Sequence, residues 1–342
     1  MRRMLNVLFV TTQGAYLARQ RETVLVRVEG ETRLRVPIHT LEGIVCFGNV
    51  SASPFLLGLC AEHQVAVSFL SERGRFLARV QGPVSGNVLL RRSQYRLADD
   101  PRACAEVAGA VVAAKLANCR QVLLRAARGD TSPRSSELRR AARHLARLAE
   151  QVVQEPELGA VRGREGEGAR VYFGVFDHLI TSQHRELHFV ERNRRPPLDA
   201  INALLSFLYT LLVHDVASAL EGVGLDPAVG FLHRDRPGRP SLALDLMEEL
   251  RPVLAERLAL SLVNRRQVHP KGFRKSESGA VMMDDATRKK VLIAFQERKR
   301  SQLRHPFLEE KVPLGMVAHA QALLLARYLR GDLDAYPPFL WR

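Results

Sequence analysis

The amino-acid sequence predicts an α+β protein in which a β-rich N-terminal part, residues 1–90, precedes an α-helical part, residues 91–342. Two observations lead to this prediction. Short runs rich in β-branched and apolar residues fill the first part, whereas longer amphipathic segments with helical spacing follow. The length of 342 residues and the hydrophobic content of 46% are also sufficient for two domains with substantial cores.

The N-terminal part opens with a predicted β-hairpin, because two β-rich runs flank the turn residues Glu29-Gly30-Glu31. Two buried strands, a short helix between them and a half-exposed strand follow. In chain order the predicted elements are strands at 23–28, 32–36 and 43–47, a helix at 54–63, and strands at 65–70 and 75–80. We predict that the strands form a small antiparallel sheet.

The C-terminal part is predicted to be one helical bundle. Its expected helices lie at about 102–128, 135–154, 198–221, 242–264, 286–304 and 313–330. The segment 272–285 is polar and contains glycine and serine, so we predict a mobile loop there.

The charge balance indicates a polyanionic partner, because a formal net charge of +15 and a pI near 10.4 attract nucleic acid. No run approaches the roughly 18 apolar residues of a membrane span, and the N-terminus lacks a signal-peptide cleavage pattern, so we predict a cytoplasmic protein. The four cysteines show no Cys-x-x-Cys spacing, which favours buried reduced thiols over a zinc or disulfide framework.

Three segments carry candidate metal ligands. Glu165 lies among glycines in segment 162–170, His233 ends a Gly- and Pro-containing stretch, and Asp245 and Glu248 are spaced i, i+3 on one predicted helical face. Carboxylate and imidazole ligands suit Mg²⁺ and Mn²⁺. Spacing alone favours solvated carboxylates and a turn histidine over a metal site. His184 and His188 are a weaker candidate pair, spaced one helical turn apart.

In their order and approximate spacing, these three segments resemble the CRISPR-associated spacer integrases, the larger subunit of the adaptation complex. The resemblance covers essentially the whole chain, and segments 41–45, 75–79, 86–92 and 241–252 look like the type I-C branch. It implies an N-terminal β-sandwich-like domain for dimerisation and partner binding, and an all-α-helical catalytic domain. It also implies a homodimer assembled around a small ferredoxin-like subunit and, for this branch, an accessory RecB-like exonuclease.

The same resemblance implies the site and its chemistry. Glu165, His233 and Glu248 would bind Mg²⁺ or Mn²⁺, and Asp245 would be a further catalytic acid. Many relatives have aspartate at the position of Glu248. The neighbouring Glu167 and Glu249 are not expected to be ligands. The implied reaction joins the 3′-hydroxyl ends of captured double-stranded DNA fragments to the boundaries of a CRISPR repeat. A metal-dependent nuclease that does not join ends, and a non-catalytic DNA-binding scaffold, remain alternatives.

Basic side chains are predicted to hold DNA by its phosphates. One group flanks the expected site, and a second lies on the predicted helix 286–304, whose charges equally suit a solvated surface. The predicted DNA-binding residues are Arg162, Arg164, Arg170, Arg288, Lys289, Lys290 and Arg298.

Overall fold

A computed structural model of the protein describes residues 7–41, 43–72, 76–80, 82, 88–181 and 187–341. Its strands are β1 Val7–Val10, β2 Tyr16–Gln20, β3 Thr23–Val28, β4 Glu31–Pro37, β5 Gly43–Phe47, β6 Ser51–Ala52, β7 Ala66–Leu70, β8 Phe76–Val80, β9 Phe273–Lys275, β10 Val281–Met283, β11 Gln302–Arg304 and β12 Lys311–Pro313. Its α-helices are α1 Pro54–Glu62, α2 Val88–Ala98, α3 Pro101–Ala126, α4 Pro133–Val153, α5 Leu158–Gly174, α6 Ala200–Gly222, α7 Ser241–Glu248, α8 Arg257–Asn264, α9 Asp285–Arg300 and α10 Val317–Leu329.

The strands of the N-terminal part and the helices of the C-terminal part confirm the predicted α+β class. The chain forms two compact units. One comprises Met1–Ser85 together with α9, and the other comprises Gly86–Asp284 and Ser301–Arg342. The prediction that all the later helices form one bundle is therefore wrong for α9, which groups with the N-terminal strands.

The first unit contains two four-stranded sheets. One has the order β4-β3-β2-β6, and the hairpin between β3 and β4 turns through Glu29 and Gly30, which both have positive φ. The other has the order β1-β5-β7-β8, in which β1, β5 and β7 are parallel. The prediction of a purely antiparallel sheet is thus wrong. Parallel neighbours need a crossover, and α1 lies in the connection between β5 and β7.

One hydrophobic core serves both sheets of this unit. Leu17 and Val24 from one sheet, Ile44 and Val67 from the other, and Leu56 from α1 belong to a single buried cluster. The burial of most residues in β5 and β7 follows from their nearly continuous apolar sequences, since parallel strands are covered on both faces.

The second unit is organised around α3, which packs against α4, α5, α7 and the π-helical segment Arg251–Glu256. Asp100 caps α3 by accepting hydrogen bonds from the backbone N–H groups of Arg102 and Ala103. Helices α3 and α6 are long and apolar enough to cross a membrane. Most of the apolar stretch of each is buried inside the protein, as in the core helices of soluble proteins.

Three local predictions need correction in this unit and in α9, and helix α5 was not predicted. This helix contains the Gly-rich segment around Glu165. The predicted helix 242–264 is divided into α7, the π-helical segment and α8, because Pro252 supplies no backbone N–H for an α-helical hydrogen bond. The predicted loop 272–285 contains the β9–β10 hairpin. Helix α9 ends at Arg300, and β11 pairs with β12 beyond it.

Candidate active site

Helix α5 carries Glu165 toward helix α3. Gly168 lies one turn further along α5, and a Cβ atom at this position would lie 2.1 Å from Leu116 Cδ2. The missing side chain therefore lets the two helices approach closely. Lys115, next to Leu116 on α3, donates a hydrogen bond to Glu165 Oε1. The sequence assigned Glu165 to a segment of glycines, but the structure shows that only Gly168 serves this helix contact.

Helix α7 ends at Glu248, and its carboxylate meets two buried cations. Lys115 Nζ lies 2.7 Å from Glu248 Oε2, and Arg251 donates to Glu248 Oε1. Arg251 lies at the start of the π-helical segment, and its guanidinium carbon lies 4.9 Å from the centroid of the Tyr209 ring. Lys115 thus bridges Glu165 and Glu248, which come from different helices.

Electrostatics keep this cluster charged in spite of its burial. Burial alone would raise the pKa of Glu248, but the charges of Arg251 and Lys115 outweigh this effect and lower the pKa from 4.5 to about 2. Burial opposes the charged form of Lys115, yet Glu248 and Glu165 outweigh it and raise the pKa of the ammonium. Opposite charges therefore hold Glu248 as a carboxylate and Lys115 as an ammonium.

His233 lies in the loop between α6 and α7 and is oriented by Asp245. The Nδ1 atom of His233 and Asp245 Oδ1 are 2.6 Å apart, and Asp245 is buried. The same carboxylate accepts hydrogen bonds from the backbone N–H groups of Phe231, Leu232 and His233 at 2.6, 2.9 and 2.9 Å. An Nδ1–H held by a carboxylate leaves Nε2 as the acceptor, which is the arrangement usual for metal-ligating histidines.

Two further residues fix the His233 loop, Gly230 against α7 and Arg162 against α5. A Cβ atom on Gly230 would lie 2.7 Å from Asp245 Oδ2 and 2.8 Å from the Ser241 carbonyl carbon, so only glycine fits this close approach without rearrangement. Arg162 donates from Nε to the Leu232 carbonyl oxygen at 2.6 Å. Asp245 therefore orients His233 and its loop, and its role as a further catalytic acid stays a prediction.

The types of ligand atom in this cluster fit a hard divalent ion, but their arrangement in the described part of the chain does not hold one. Glu248 Oε2 is buried and makes no hydrogen bond of acceptable geometry, although it lies near Lys115. Glu165 and Glu248 supply oxygen atoms, and His233 supplies an imidazole nitrogen. Within the described residues, however, no three histidine, cysteine, aspartate or glutamate side chains are arranged to hold a metal ion directly. The two carboxylates meet at Lys115 instead.

The two glutamates that were not expected to be ligands have other partners. Glu167 contacts His144 at 2.7 Å. Glu249 is buried, and its oxygens accept hydrogen bonds from Gln321, Tyr336 and the Phe339 backbone N–H. Burial raises the pKa of Glu249 to about 7, in spite of these three donors. Glu249 therefore anchors the C-terminal segment from inside the helical unit.

Sequence reasoning missed Lys115, Arg251 and Asn118. Asn118, one turn after Lys115, binds the Glu249 and Phe339 carbonyl oxygens through Nδ2 and accepts from the Trp341 backbone N–H. Burial of a lysine and an arginine is the signal of an internal charge pair, but it becomes visible only in the folded chain. Of the weaker histidine pair, His184 lies outside the described residues, and His188 is exposed.

The predicted DNA-binding residues differ in their surroundings. Arg162 is engaged with the His233 loop, Arg164 pairs with Glu155 at 2.8 Å, and Arg170 is exposed. In the other unit, Lys289 and Lys290 are exposed and Arg298 is half-buried. Arg288 is buried, pairs with Asp285 and donates to the Glu72 carbonyl oxygen, so its predicted contact with DNA would require these contacts to rearrange.

Comparisons with known proteins agree on one family. The family model for the CRISPR associated protein Cas1 matches residues 8–297. The CRISPR-associated endonuclease Cas1 1 of Chlorobaculum tepidum is 53% identical over 343 residues, covering all of both chains. A CRISPR-associated exonuclease Cas4/endonuclease Cas1 fusion of Rhodospirillum rubrum is 35% identical, covering 97% of this chain and 57% of the fusion.

Solved structures share the fold. A Cas1 protein from Thermotoga maritima superposes with a TM-score of 0.82 at 22% identity, covering 97% of this chain and 99% of that one. A casposase bound to integration product superposes with a TM-score of 0.81 at 21% identity, covering 97% and 93%. The match of the family model over most of the chain, together with the full-length relative, shows that the chain belongs to the CRISPR-associated Cas1 family.

Proposed function

We propose that the chain is a metal-dependent DNA endonuclease and strand transferase that joins the 3′-hydroxyl ends of captured DNA fragments to the boundaries of CRISPR repeats. One observation carries this proposal: Glu165 and Glu248 converge on the buried Lys115, in the same unit as a histidine oriented by a buried aspartate. The full-length relative that is named an endonuclease supports the activity.

Glu165, Glu248 and His233 Nε2 would hold Mg²⁺ or Mn²⁺. The chemistry that such an ion supplies when bound is polarisation of a phosphodiester oxygen and stabilisation of the charge that develops during transfer. The protein orients the ligands. Asp245 fixes the His233 ring, and Arg251 keeps Glu248 ionised. The nucleophile belongs to the DNA: the 3′-hydroxyl of the fragment loses its proton and forms a new P–O bond, while the P–O bond of the target strand breaks and its 3′-oxygen takes up a proton to leave as a hydroxyl.

The net charge of +15 supports phosphate contacts outside the reacting bond. Exposed basic residues are the best candidates for these contacts, and Arg170, Lys289 and Lys290 meet this condition. Arg162 and Arg164 make contacts inside their unit, so their predicted role on DNA needs rearrangement of those contacts.

The assembly expected from the family belongs to the same proposal. The residues up to 90 would form a sandwich-like domain for dimerisation and partner binding, and the residues from 91 onward, apart from α9, would form the catalytic domain. The proposed assembly is a homodimer around a small ferredoxin-like subunit. We also assign the chain to the type I-C branch and to the cytoplasm. The relative in which a Cas4 exonuclease is fused to the Cas1 part supports an accessory RecB-like exonuclease.

The decisive experiment is strand transfer of a labelled 3′-hydroxyl duplex into a supercoiled plasmid that carries the CRISPR repeat. It is run with and without Mn²⁺ and the small partner, with wild type, His233→Ala and His144→Ala. His144 is the matched control, because it is also a half-buried histidine paired with a carboxylate, Glu167. Joining that requires Mn²⁺, disappears in His233→Ala and persists in His144→Ala is the expected result.

Other results would select an alternative. Cleavage of the plasmid without covalent joining would indicate a nuclease only. Binding of DNA without either reaction, and with no effect of Mn²⁺ or of His233→Ala, would indicate a scaffold.

A further inference from the structure

Lys115 is a largely buried cation that lies between two carboxylates. Its ammonium contacts Glu165 Oε1 from α5 and Glu248 Oε2 from α7, and its side chain is 9% exposed. A single cation thus bridges two carboxylates that the proposed function assigns to a divalent ion. Bridging by a cation offsets the repulsion between two negative groups in a medium of low polarity.

We propose that Lys115 is a resident counter-ion that competes with the divalent ion for Glu165 and Glu248. This inference rests on the proposed function, because it takes both glutamates as metal ligands. A metal ion shared by the two carboxylates would bind the same oxygen atoms that Lys115 contacts. An ammonium and a divalent ion held within a few ångströms repel each other strongly, so binding of the ion displaces Lys115 Nζ from at least one carboxylate.

The charges of the cluster give this competition a consequence for DNA binding. Glu165, Glu248, Lys115 and Arg251 sum to zero formal charge, so a divalent ion leaves the four groups with an excess of two positive charges. A phosphate anion of the DNA offsets part of this excess. The divalent ion should therefore bind weakly alone and more tightly with DNA, and by linkage the ion should strengthen DNA binding by the same factor.

The test is calorimetric titration of Mn²⁺ into the full-length protein without DNA, using wild type, Lys115→Met and Arg251→Met. Arg251 is the matched control because it is also a buried cation on Glu248, but it contacts the other oxygen, Oε1. Removing any nearby positive charge favours metal binding somewhat. We expect Lys115→Met to bind Mn²⁺ about tenfold more tightly than wild type, and clearly more tightly than Arg251→Met.

Two further measurements make the result decisive. The Glu165→Gln variant tests the site itself. If this variant binds Mn²⁺ as tightly as wild type does, the proposed metal site fails, whatever the result for Lys115→Met. If binding depends on Glu165 but Lys115→Met binds Mn²⁺ equally or more weakly, the competition is overturned. A crystal structure of wild type with Mn²⁺ needs no folded variant, and Lys115 Nζ remaining in contact with both carboxylates beside the ion would also overturn it.

Discussion

The sharpest prediction concerns Asp245, whose two oxygens accept four hydrogen bonds from the segment Phe231–His233. In Asp245→Asn one oxygen becomes an NH₂ group. At the Oδ2 position the NH₂ group faces two backbone N–H donors; at the Oδ1 position it faces the His233 backbone N–H and Nδ1, which accepts only if the ring proton moves to Nε2. With one or two hydrogen bonds lost at roughly 1.5–3 kcal/mol for each bond to a charged group, we expect a loss of about 1.5–6 kcal/mol of unfolding free energy. Metal affinity should fall about 10- to 100-fold because the His233 ring loses its orientation.

Urea denaturation measures the first effect and Mn²⁺ calorimetry the second. Asp235→Asn is the control, since it makes the same change to an exposed residue in the same loop and should alter the unfolding free energy by less than about 0.5 kcal/mol. Equal stability and Mn²⁺ affinity of the two variants would refute the positioning role of Asp245.

Three further predictions use other parts of the helical unit. Gly168→Ala should lower the unfolding free energy by about 1–3 kcal/mol because Leu116 must move, whereas Gly166→Ala, which meets nothing within 4 Å, should raise it by about 0.5–1 kcal/mol in urea denaturation. Glu249 has a raised pKa, so the folded chain binds its proton more tightly than the unfolded chain; the resulting stability is complete below pH 4.5 and is lost as the pH rises through about 7. The unfolding free energy of Glu249→Gln should therefore rise relative to that of wild type between pH 4.5 and 8, by at most about 3 kcal/mol in urea denaturation. A difference in unfolding free energy that does not change with pH would contradict the raised pKa. Trp341→Leu should cost about 1–2 kcal/mol, seen as a lower thermal midpoint, because two guanidiniums stack on the indole at 3.8 and 4.1 Å.

The fold class followed from local patterns, but the arrangement did not. Runs of β-branched residues and helical spacing located β3, α1, α3 and α6, because these signals depend on neighbours in the sequence. The direction of strand pairing depends on which strands meet, so the parallel strands of one sheet were missed. Helix α5 was missed because its glycines are poor helix formers, and packing against α3 outweighs their low propensity.

The candidate site divides in the same way. The sequence by itself determined the residue types and, through resemblance to a family, named Glu165, His233, Asp245 and Glu248. Only the tertiary structure decided that Asp245 orients His233 and that Lys115 bridges the two glutamates. Lys115 lies 50 residues before Glu165, and no local pattern can report a contact that exists only when two helices pack together. The sequence determines the functional group of each side chain, whereas the partners of that group depend on burial and distance in the folded chain.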